Sequence, residues 1–272
     1  MFTKEKLQQI LNENIIEIKK TDYGITNDNY IIKTDSNSYF YRVAKDSVNI
    51  INKENEKEVI ELLKDENYFL VPYFYNTNNL ITQYQKNSST FISQRNLSNI
   101  VEIAKLLKNF HNKKFQVKNE FNPIKTFNSY LEQITEFDKD ISHFIYLVDE
   151  ITKIHNSDRL CHNDLVEGNF LFTPSKLFLI DFEYAGLNDY YFDLASFISE
   201  NDLNYQETVT FLKSYFIEEK CDFKKLDIYL RFCDLLWYTW AWLLYEKRHE
   251  EVYKQISEQK YHSLKNPRII KY

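Results

Sequence analysis

The sequence predicts an α+β fold with two lobes, a small antiparallel β-rich lobe followed by a larger and mainly helical one. Three observations support this prediction. Short strand-like runs fill the first third of the chain, helix-periodic segments fill most of the remainder, and a β-hairpin pattern interrupts those helical segments. Because the pattern changes after residue 86, we assign residues 1–86 to the first lobe and residues 87–272 to the second.

The first lobe begins with a helix in TKEKLQQILNEN, whose apolar residues share one helical face. Five strands follow, predicted in chain order for NIIEIKK, NYIIKT, SYFYRVA, YFLVPYFY and NLITQYQ. Between the third and the fourth strand, NKENEKEVIELLKDEN has the periodicity of an amphipathic helix. These elements together predict a five-stranded sheet with one long helical insertion.

The second lobe is predicted to contain five helices, over residues 97–113, 127–155, 204–219, 223–246 and 249–263. Two short strands, NFLFT and LFLIDF, interrupt the helical pattern. They flank Thr-Pro-Ser-Lys at residues 173–176, a sequence typical of a hairpin turn.

Composition excludes several classes of protein. A hydrophobic content of 43% and a charged content of 27% are ordinary for a soluble globular chain. A net charge of −6 without a dense basic patch argues against a nucleic-acid partner. No apolar run approaches the roughly 20 residues that span a bilayer, and the N-terminus lacks a signal-peptide core. The three cysteines lack metal-binding spacing, so we expect a cytoplasmic protein with reduced thiols and no membrane insertion.

One group of polar residues has the spacing of a catalytic site. His162, Asp164 and Asn169 fit the pattern H-x-D-x-x-x-x-N, and Asp181 follows in LIDFE after a hairpin-length spacer. Kinase-type phosphoryl transfer uses these parts: an Asp that aligns the acceptor hydroxyl and takes its proton, then an Asn and a second Asp that bind Mg²⁺. A polar turn before a hairpin is the alternative, and the placement of Asp181 favours catalysis over it.

The stretch CHNDLVEGN…LIDFEYAGLNDYYFDLA resembles the signature of choline/ethanolamine kinases, within the wider aminoglycoside-phosphotransferase-like superfamily. The resemblance covers nearly the whole chain and implies a protein-kinase-like fold, an ATP–Mg²⁺ donor and a small hydroxylated acceptor. It implies Asp164 as the catalytic base and Asn169 and Asp181 as magnesium ligands, with Glu183 assisting the metal site. Asp193 is a recurrent superfamily residue, which we assign to structural support of the catalytic loop.

The resemblance extends to nucleotide binding in the first lobe. DYGITNDNYIIK is similar to the family's phosphate-covering loop, in which Gly24 admits close approach of the backbone while Thr26 and Asn27 donate hydrogen bonds. The same residues also suit a simple hairpin turn. Arg42 matches the basic strand residue that contacts ATP phosphates. Glu56 matches the helix glutamate that orients this residue, and Glu54 is the alternative if the register slips.

The segment ITQYQ occupies the hinge position of the family, where backbone groups near Gln83 and Gln85 are implied to contact adenine. Phe182 and Glu183 stand where protein kinases carry Phe-Gly, and no phosphorylatable activation segment is recognisable. Both departures argue against a protein kinase.

The acceptor site is expected in the second lobe. A quaternary ammonium cannot donate hydrogen bonds, so proteins bind it with aromatic faces and a nearby carboxylate. Trp237 and Trp240 share one helix face, although such stripes also serve core packing. The family lines its choline pocket with W-x-x-W here, and Tyr184, Glu200 and Tyr253 match further pocket residues. For Glu200, a helix-terminal surface charge is the alternative.

These observations predict ATP- and Mg²⁺-dependent transfer of the γ-phosphate to the hydroxyl of choline, giving phosphocholine and ADP. Ethanolamine, thiamine or an aminoglycoside are the alternative acceptors. A nucleotide-binding module without turnover and an interaction protein on a kinase scaffold are alternatives of another class. Retention of Asp164, Asn169 and Asp181 together disfavours a pure binder, because binding alone does not need the base.

Overall fold

The computed structural model describes residues 1–21, 24, 27–45 and 53–268. Its helices are α1 (Lys4–Leu11), α2 (Lys53–Leu63), α3 (Leu97–Asn112), α4 (Pro123–Leu131), α5 (Tyr146–Ile154), α6 (Tyr190–Glu200), α7 (Tyr205–Phe216), α8 (Phe223–Arg248) and α9 (Glu251–Lys265). Its strands are β1 (Ile15–Thr21), β2 (Asn27–Thr34), β3 (Ser38–Ala44), β4 (Phe74–Asn76), β5 (Asn79–Gln83), β6 (Ser89–Thr90), β7 (Arg159–Cys161), β8 (Phe170–Phe172), β9 (Leu177–Leu179) and β10 (Gly186–Asn188).

The chain forms two compact units. The first comprises Met1–Arg95 together with Glu167–Tyr184, and the second comprises Asn96–Val166 together with the residues from Ala185 onward. The hairpin that the sequence analysis placed in the second lobe therefore groups with the first unit. The predicted α+β class is confirmed, with strands concentrated in the first unit and helices in the second.

A five-stranded antiparallel sheet forms the body of the first unit, in the order β1-β2-β3-β5-β4. Strand β3 alternates strictly, because successive side chains of a strand point to opposite faces. Tyr39, Tyr41 and Val43 join a core with α1, whereas Arg42 points to the other face of the sheet. The period of the strand therefore keeps Arg42 out of the apolar core.

The β-hairpin predicted around residues 173–176 forms in the first unit. Strands β8 and β9 pair in antiparallel fashion, and Thr173 closes the turn by accepting hydrogen bonds on Oγ1 from the backbone N–H groups of Ser175 and Lys176. The prediction of a strand over YFLVPYFY was wrong for its first part, because β4 begins only at Phe74. Pro72 lacks an N–H group and restricts Val71, so a regular ladder cannot run through this segment.

Helix α8 is the centre of the second unit and contacts α4, α5, α6 and α9. Its central part, from Phe232 to Leu244, is buried on nearly all sides. Such a helix shows little amphipathic contrast because its surroundings are apolar all round. Among the described residues, no helix has both the length and the apolar character needed to cross a membrane.

The predicted helix over 127–155 is two helices, α4 and α5, separated by residues 132–145. Tertiary hydrogen bonds stabilise the intervening segment in a non-helical path. The Glu246 carboxylate accepts from the backbone N–H groups of Thr135 at 3.0 Å and Glu136 at 3.1 Å, and Trp242 Nε1 donates to the Glu136 carbonyl at 2.7 Å. Because these bonds come from α8, the local sequence could not reveal them.

Candidate active site

Arg42 lies within an acidic cluster of the first unit. Its Nη2 donates to both carboxylate oxygens of Glu56, at 2.5 and 2.7 Å, and its Nη1 donates to Asp181 Oδ1. The Nη1 atom also lies 3.9 Å from Glu183 Oε2. One guanidinium thus stands among three carboxylates, which gives the cluster a formal charge of −2. A bound cation, or a proton on one of the carboxylates, would reduce this surplus of negative charge.

Glu183 is a buried acid of this cluster, with 6% of its surface exposed. Asn27 Nδ2 donates to its Oε2 at 3.2 Å. Burial, together with the neighbouring charge of Asp181, raises the pKa of Glu183 to about 8, while Arg42 acts in the opposite direction. The sequence analysis assigned Glu183 to the metal site and did not predict its contact with Asn27.

The residues with magnesium-ligand chemistry lie at the open end of the β8–β9 hairpin, one before β8 and the other after β9. Asn169 precedes β8 and its backbone carbonyl accepts from Ile180 N at 3.0 Å, which ties it to the strand that leads to Asp181. Asp181 adopts a left-handed backbone conformation with φ 67°, a strained geometry for a residue other than glycine. A carboxylate, an amide oxygen and a net negative charge fit a divalent cation that prefers hard oxygen ligands.

The catalytic loop in the second unit is fixed by Asp193 of α6. Asp193 Oδ2 accepts from the backbone N–H of His162 at 2.8 Å, and its Oδ1 accepts from that of Asn163 at 2.7 Å. Asn163 has φ 66°, and its Oδ1 accepts from Asn188 Nδ2 at 2.7 Å. The residue that precedes Asp164 is therefore held on both its backbone and its side chain.

The residue after Asp164 is held in the same way. Leu165 N donates to Ser196 Oγ at 3.4 Å, and the Leu165 carbonyl accepts from Asn201 Nδ2 at 2.8 Å. Bonds on both sides of Asp164 make the loop a rigid support for its carboxylate, which is the preorganisation that a catalytic base requires.

The aromatic residues predicted for the acceptor site come together on α8 and α9. Trp237 and Trp240 meet edge-to-face with centroids 5.9 Å apart, and Trp240 meets Tyr253 at 5.7 Å. Tyr253 is completely buried and accepts a hydrogen bond from Arg248 Nη1 at 2.6 Å. Trp240 is half-buried, so it is the member of this set with open surface.

Glu200 ends α6 and is not a surface charge, so that alternative was wrong. Its Oε1 accepts from Lys260 Nζ at 2.5 Å, and 14% of its side chain is exposed. Burial raises the pKa of Glu200, an effect that Lys260 opposes. The sequence analysis missed Lys260. Its signal was the recurrence of Tyr253, Ser257 and Lys260 on the buried face of α9.

The remaining predicted residues divide as follows. Gly24 has φ 74°, and a Cβ there would lie 3.0 Å from Asn29 Nδ2, so both conformation and space favour glycine. Gln83 ends β5, and Gln85 Nε2 donates to its carbonyl at 3.3 Å. Tyr184 is buried in the first unit. Thr26 and the side chain of Glu54 lie outside the described residues. The roles predicted for all these residues stay predictions.

Comparison with known proteins identifies the class. The choline/ethanolamine kinase family model matches residues 18–265, so the chain belongs to the choline/ethanolamine kinase family. Among its relatives is protein LicA of Haemophilus influenzae, which is 30% identical over 276 residues, a match that covers 88% of this chain and 77% of the relative. The predicted family and its phosphotransferase activity are confirmed.

Solved structures support the same assignment. The crystal structure of choline kinase LicA from Streptococcus pneumoniae superposes with a TM-score of 0.84 at 25% identity and covers 97% of both chains. A structure of LicA in complex with AMP gives a TM-score of 0.82 at 26% identity and covers 97% of this chain and 96% of the other. The spectinomycin phosphotransferase APH(9)-Ia in its AMP-bound complex, at 17% identity and a TM-score of 0.67, shares the fold. The kinase-like fold is thereby confirmed.

Proposed function

We propose that this protein transfers the γ-phosphate of ATP to the hydroxyl of choline in a Mg²⁺-dependent reaction, giving phosphocholine and ADP. The observation that carries the proposal is the likeness to choline kinase LicA over 97% of both chains. The aromatic set on α8 and α9 supports choline as the acceptor, because a trimethylammonium group binds to aromatic faces.

In this mechanism Asp164 is the catalytic base. Its carboxylate aligns the choline hydroxyl and takes the proton as the oxygen attacks the γ-phosphorus and ADP leaves. The bonds that hold His162, Asn163 and Leu165 to α6 keep Asp164 in one orientation, so little reorganisation is needed during the reaction.

The acidic cluster of the first unit serves the nucleotide phosphates. Asn169 and Asp181 would hold Mg²⁺, and Glu183 would assist the metal site. When bound, the ion neutralises charge that develops on the phosphoryl oxygens. Arg42 binds phosphate oxygens while Glu56 keeps its guanidinium in place through two bonds.

The remaining contacts complete the two substrate sites. Gly24, Thr26 and Asn27 cover the phosphates, and backbone groups near Gln83 and Gln85 bind adenine. For the acceptor, Trp237 and Trp240 form the aromatic faces, Tyr253 supports Trp240, and Glu200 supplies a carboxylate. Tyr184 of the first unit is a further acceptor-binding residue in this proposal. We place the enzyme in the cytoplasm, where ATP is available, and propose small molecules rather than nucleic acid as its partners.

The test is ADP release from Mg²⁺-ATP by the purified protein with choline, ethanolamine, thiamine or kanamycin as acceptor. We expect the highest kcat/KM with choline and no turnover by Asp164→Ala, which should still bind ATP. Preference for another acceptor would overturn choline and leave the base assignment in place. Normal ATP binding without turnover on any acceptor would favour a nucleotide-binding module instead.

A further inference from the structure

A buried ion cluster lies in the second unit beside the aromatic set. Lys260 Nζ donates to Glu200 Oε1 at 2.5 Å and to Ser199 Oγ at 3.3 Å, and it lies 3.5 Å from Asp234 Oδ1. Ser199 Oγ donates to the same oxygen of Asp234 at 2.7 Å. Two carboxylates thus share one ammonium, which gives the cluster a formal charge of −1.

The contacts between α8 and α9 place this cluster next to the tryptophans. Lys260 of α9 meets Asp234 of α8, and Tyr253 of α9 meets Trp240 of α8. The two helices therefore run antiparallel, and Trp237 lies between the ion cluster and the Trp240–Tyr253 contact along α8. Asp234 and Trp237 are three residues apart and share one helix face.

Glu200 is the most exposed residue of the three charged residues in the cluster. The side chains of Lys260 and Asp234 are 6% and 8% exposed, whereas that of Glu200 is 14% exposed. Lys260 occupies Oε1 of Glu200, and within the described part of the chain Oε2 has no hydrogen-bond partner. The carboxylate is thus fixed through one oxygen and keeps the other oxygen for a ligand.

We propose that Lys260 is a positioning residue that makes the acceptor site selective for cationic alcohols: it holds Glu200 and Asp234 in a cluster with a formal charge of −1. The inference rests on the proposed function and adds the residue that sets acceptor class. A cationic head group supplies the missing charge, whereas a neutral alcohol of the same shape leaves the carboxylates uncompensated.

The two carboxylates outweigh the repulsion between Lys260 and such a head group, because the ammonium contacts three oxygens of a cluster whose formal charge remains −1. Loss of Lys260 would free Glu200 to rotate and would drive one of the two carboxylates to take up a proton. The negative charge would then no longer have a fixed position. We therefore expect a loss of selectivity for cationic over neutral alcohols and little change in the rate of phosphoryl transfer.

The experiment compares Lys260→Met with Lys254→Met, a matched change on the same helix at a lysine that pairs with the exposed Glu251. For Lys260→Met we expect the choline KM to rise about tenfold or more, the size expected when one charge-assisted contact is lost. The kcat and the KM for ATP should stay within about twofold. Lys254→Met should match the wild type, and Lys260→Arg should keep most of the choline affinity.

A neutral carbon isostere of choline, in which carbon replaces the ammonium nitrogen, reports on charge alone. We expect Lys260→Met to leave the KM for this alcohol unchanged. The ratio of this KM to the KM for choline should therefore fall by about tenfold, in step with the rise of the choline KM. An equal rise of KM for both alcohols would overturn the proposal, because it would mark a general loss of packing.

The double variant Lys260→Met/Asp234→Asn removes one positive and one negative charge, so the formal charge of the cluster stays at −1. It replaces the single variant in the experiment if the single variant does not fold. A raised choline KM in the double variant is the expected result. A wild-type KM there would overturn the proposal, because charge balance alone would then explain Lys260. An inactive wild-type enzyme would instead refute the proposed function, so the two failures are distinguishable.

Discussion

The planar guanidinium of Arg42 performs a task that an ammonium cannot perform at this position. It donates to both oxygens of Glu56 with one nitrogen and to Asp181 with another, while its side chain is only 11% exposed. A lysine carries its three N–H donors on one nitrogen, so it cannot contact Glu56 and Asp181 through two separate nitrogens of a planar group. The acidic cluster therefore depends on arginine and not on positive charge alone.

We predict that Arg42→Lys lowers kcat at least about tenfold with little loss of folding, since charge is kept but the two-sided geometry is lost. Arg42→Met should lower the free energy of unfolding by about 3–5 kcal/mol, because it leaves buried carboxylates uncompensated. Steady-state kinetics and urea unfolding measure the two effects. Lys33→Met, which removes an exposed pair with Glu17, is the control and should change neither. Wild-type kcat in Arg42→Lys would refute this role.

Trp240 and Trp242 are close in sequence and differ in their contacts. Trp240 is half-buried and meets Trp237 and Tyr253, whereas Trp242 Nε1 donates to the Glu136 carbonyl. We predict that Trp240→Ala raises the KM for choline about 2- to 30-fold more than the KM for ethanolamine, the range expected for one cation–π contact. Trp242→Phe should lower stability by about 1 kcal/mol without changing acceptor choice. Equal losses for both acceptors in Trp240→Ala would identify Trp240 as packing.

At the scale of elements, His111 connects three helices behind the catalytic loop. It ends α3, its Nε2 lies 2.9 Å from Asp193 Oδ2 on α6, and its Nδ1 lies 2.8 Å from Tyr215 Oη on α7. Because Asp193 can only accept, we assign the proton to Nε2, which makes Nδ1 the acceptor for Tyr215. Asp193 is thus held in place for its bonds to His162 and Asn163.

We predict that His111→Ala lowers kcat while the KM for choline changes little, because the loop loses order and the acceptor pocket does not. Stability should fall by about 1–3 kcal/mol, the penalty for a buried polar group without its partner. His111→Gln should recover part of kcat by restoring a donor to Asp193. The exposed His143 provides the control in His143→Ala. A proportional rise of KM in His111→Ala would contradict a role confined to the loop.

The sequence predicted elements well where periodicity was strong and failed where tertiary contacts decide. Helices α3, α7, α8 and α9 lie close to their predicted bounds. Helix α6 was not among the predicted helices, because nearly every residue of YYFDLASFISE is buried and the segment lacks an amphipathic pattern. Strands β7 and β10 have three residues each, too few for a periodic signal.

In the candidate site, too, sequence motifs predicted some residues and tertiary contacts determined the others. Motif spacing predicted Asp164, Asn169 and Asp181, and the family resemblance predicted that Glu56 orients Arg42, a pair that the structure brings together. The residues that hold these groups in place could not be predicted from the sequence. Lys260 is 60 residues from Glu200, and its burial is a product of how α8 and α9 pack.

At the scale of the whole molecule, buried phenols and thiols set the limit of alkaline stability. Burial raises the pKa of Cys161 and Cys233 above their ordinary value of 9.0, and it raises the pKa of Tyr39 to about 12. Between the ordinary and the raised pKa, the folded chain keeps protons that the unfolded chain releases. Stability therefore falls as pH rises through this window.

We predict that the free energy of unfolding decreases steadily from about pH 9 upward at constant ionic strength. Urea unfolding between about pH 8 and pH 10.5 measures it. A midpoint that does not change over this range would show that these groups have the same pKa in the folded and unfolded chains.

The most direct test of the central claim is ³¹P NMR of a reaction that contains the purified protein, Mg²⁺-ATP and choline. Phosphoryl transfer to the choline hydroxyl predicts phosphocholine and ADP in equal amounts, and neither product with Asp164→Ala. ADP accompanied by inorganic phosphate alone would mean that water is the acceptor. That result, or phosphocholine formed at an undiminished rate by Asp164→Ala, would contradict the assignment of this site as a choline kinase with Asp164 as its base.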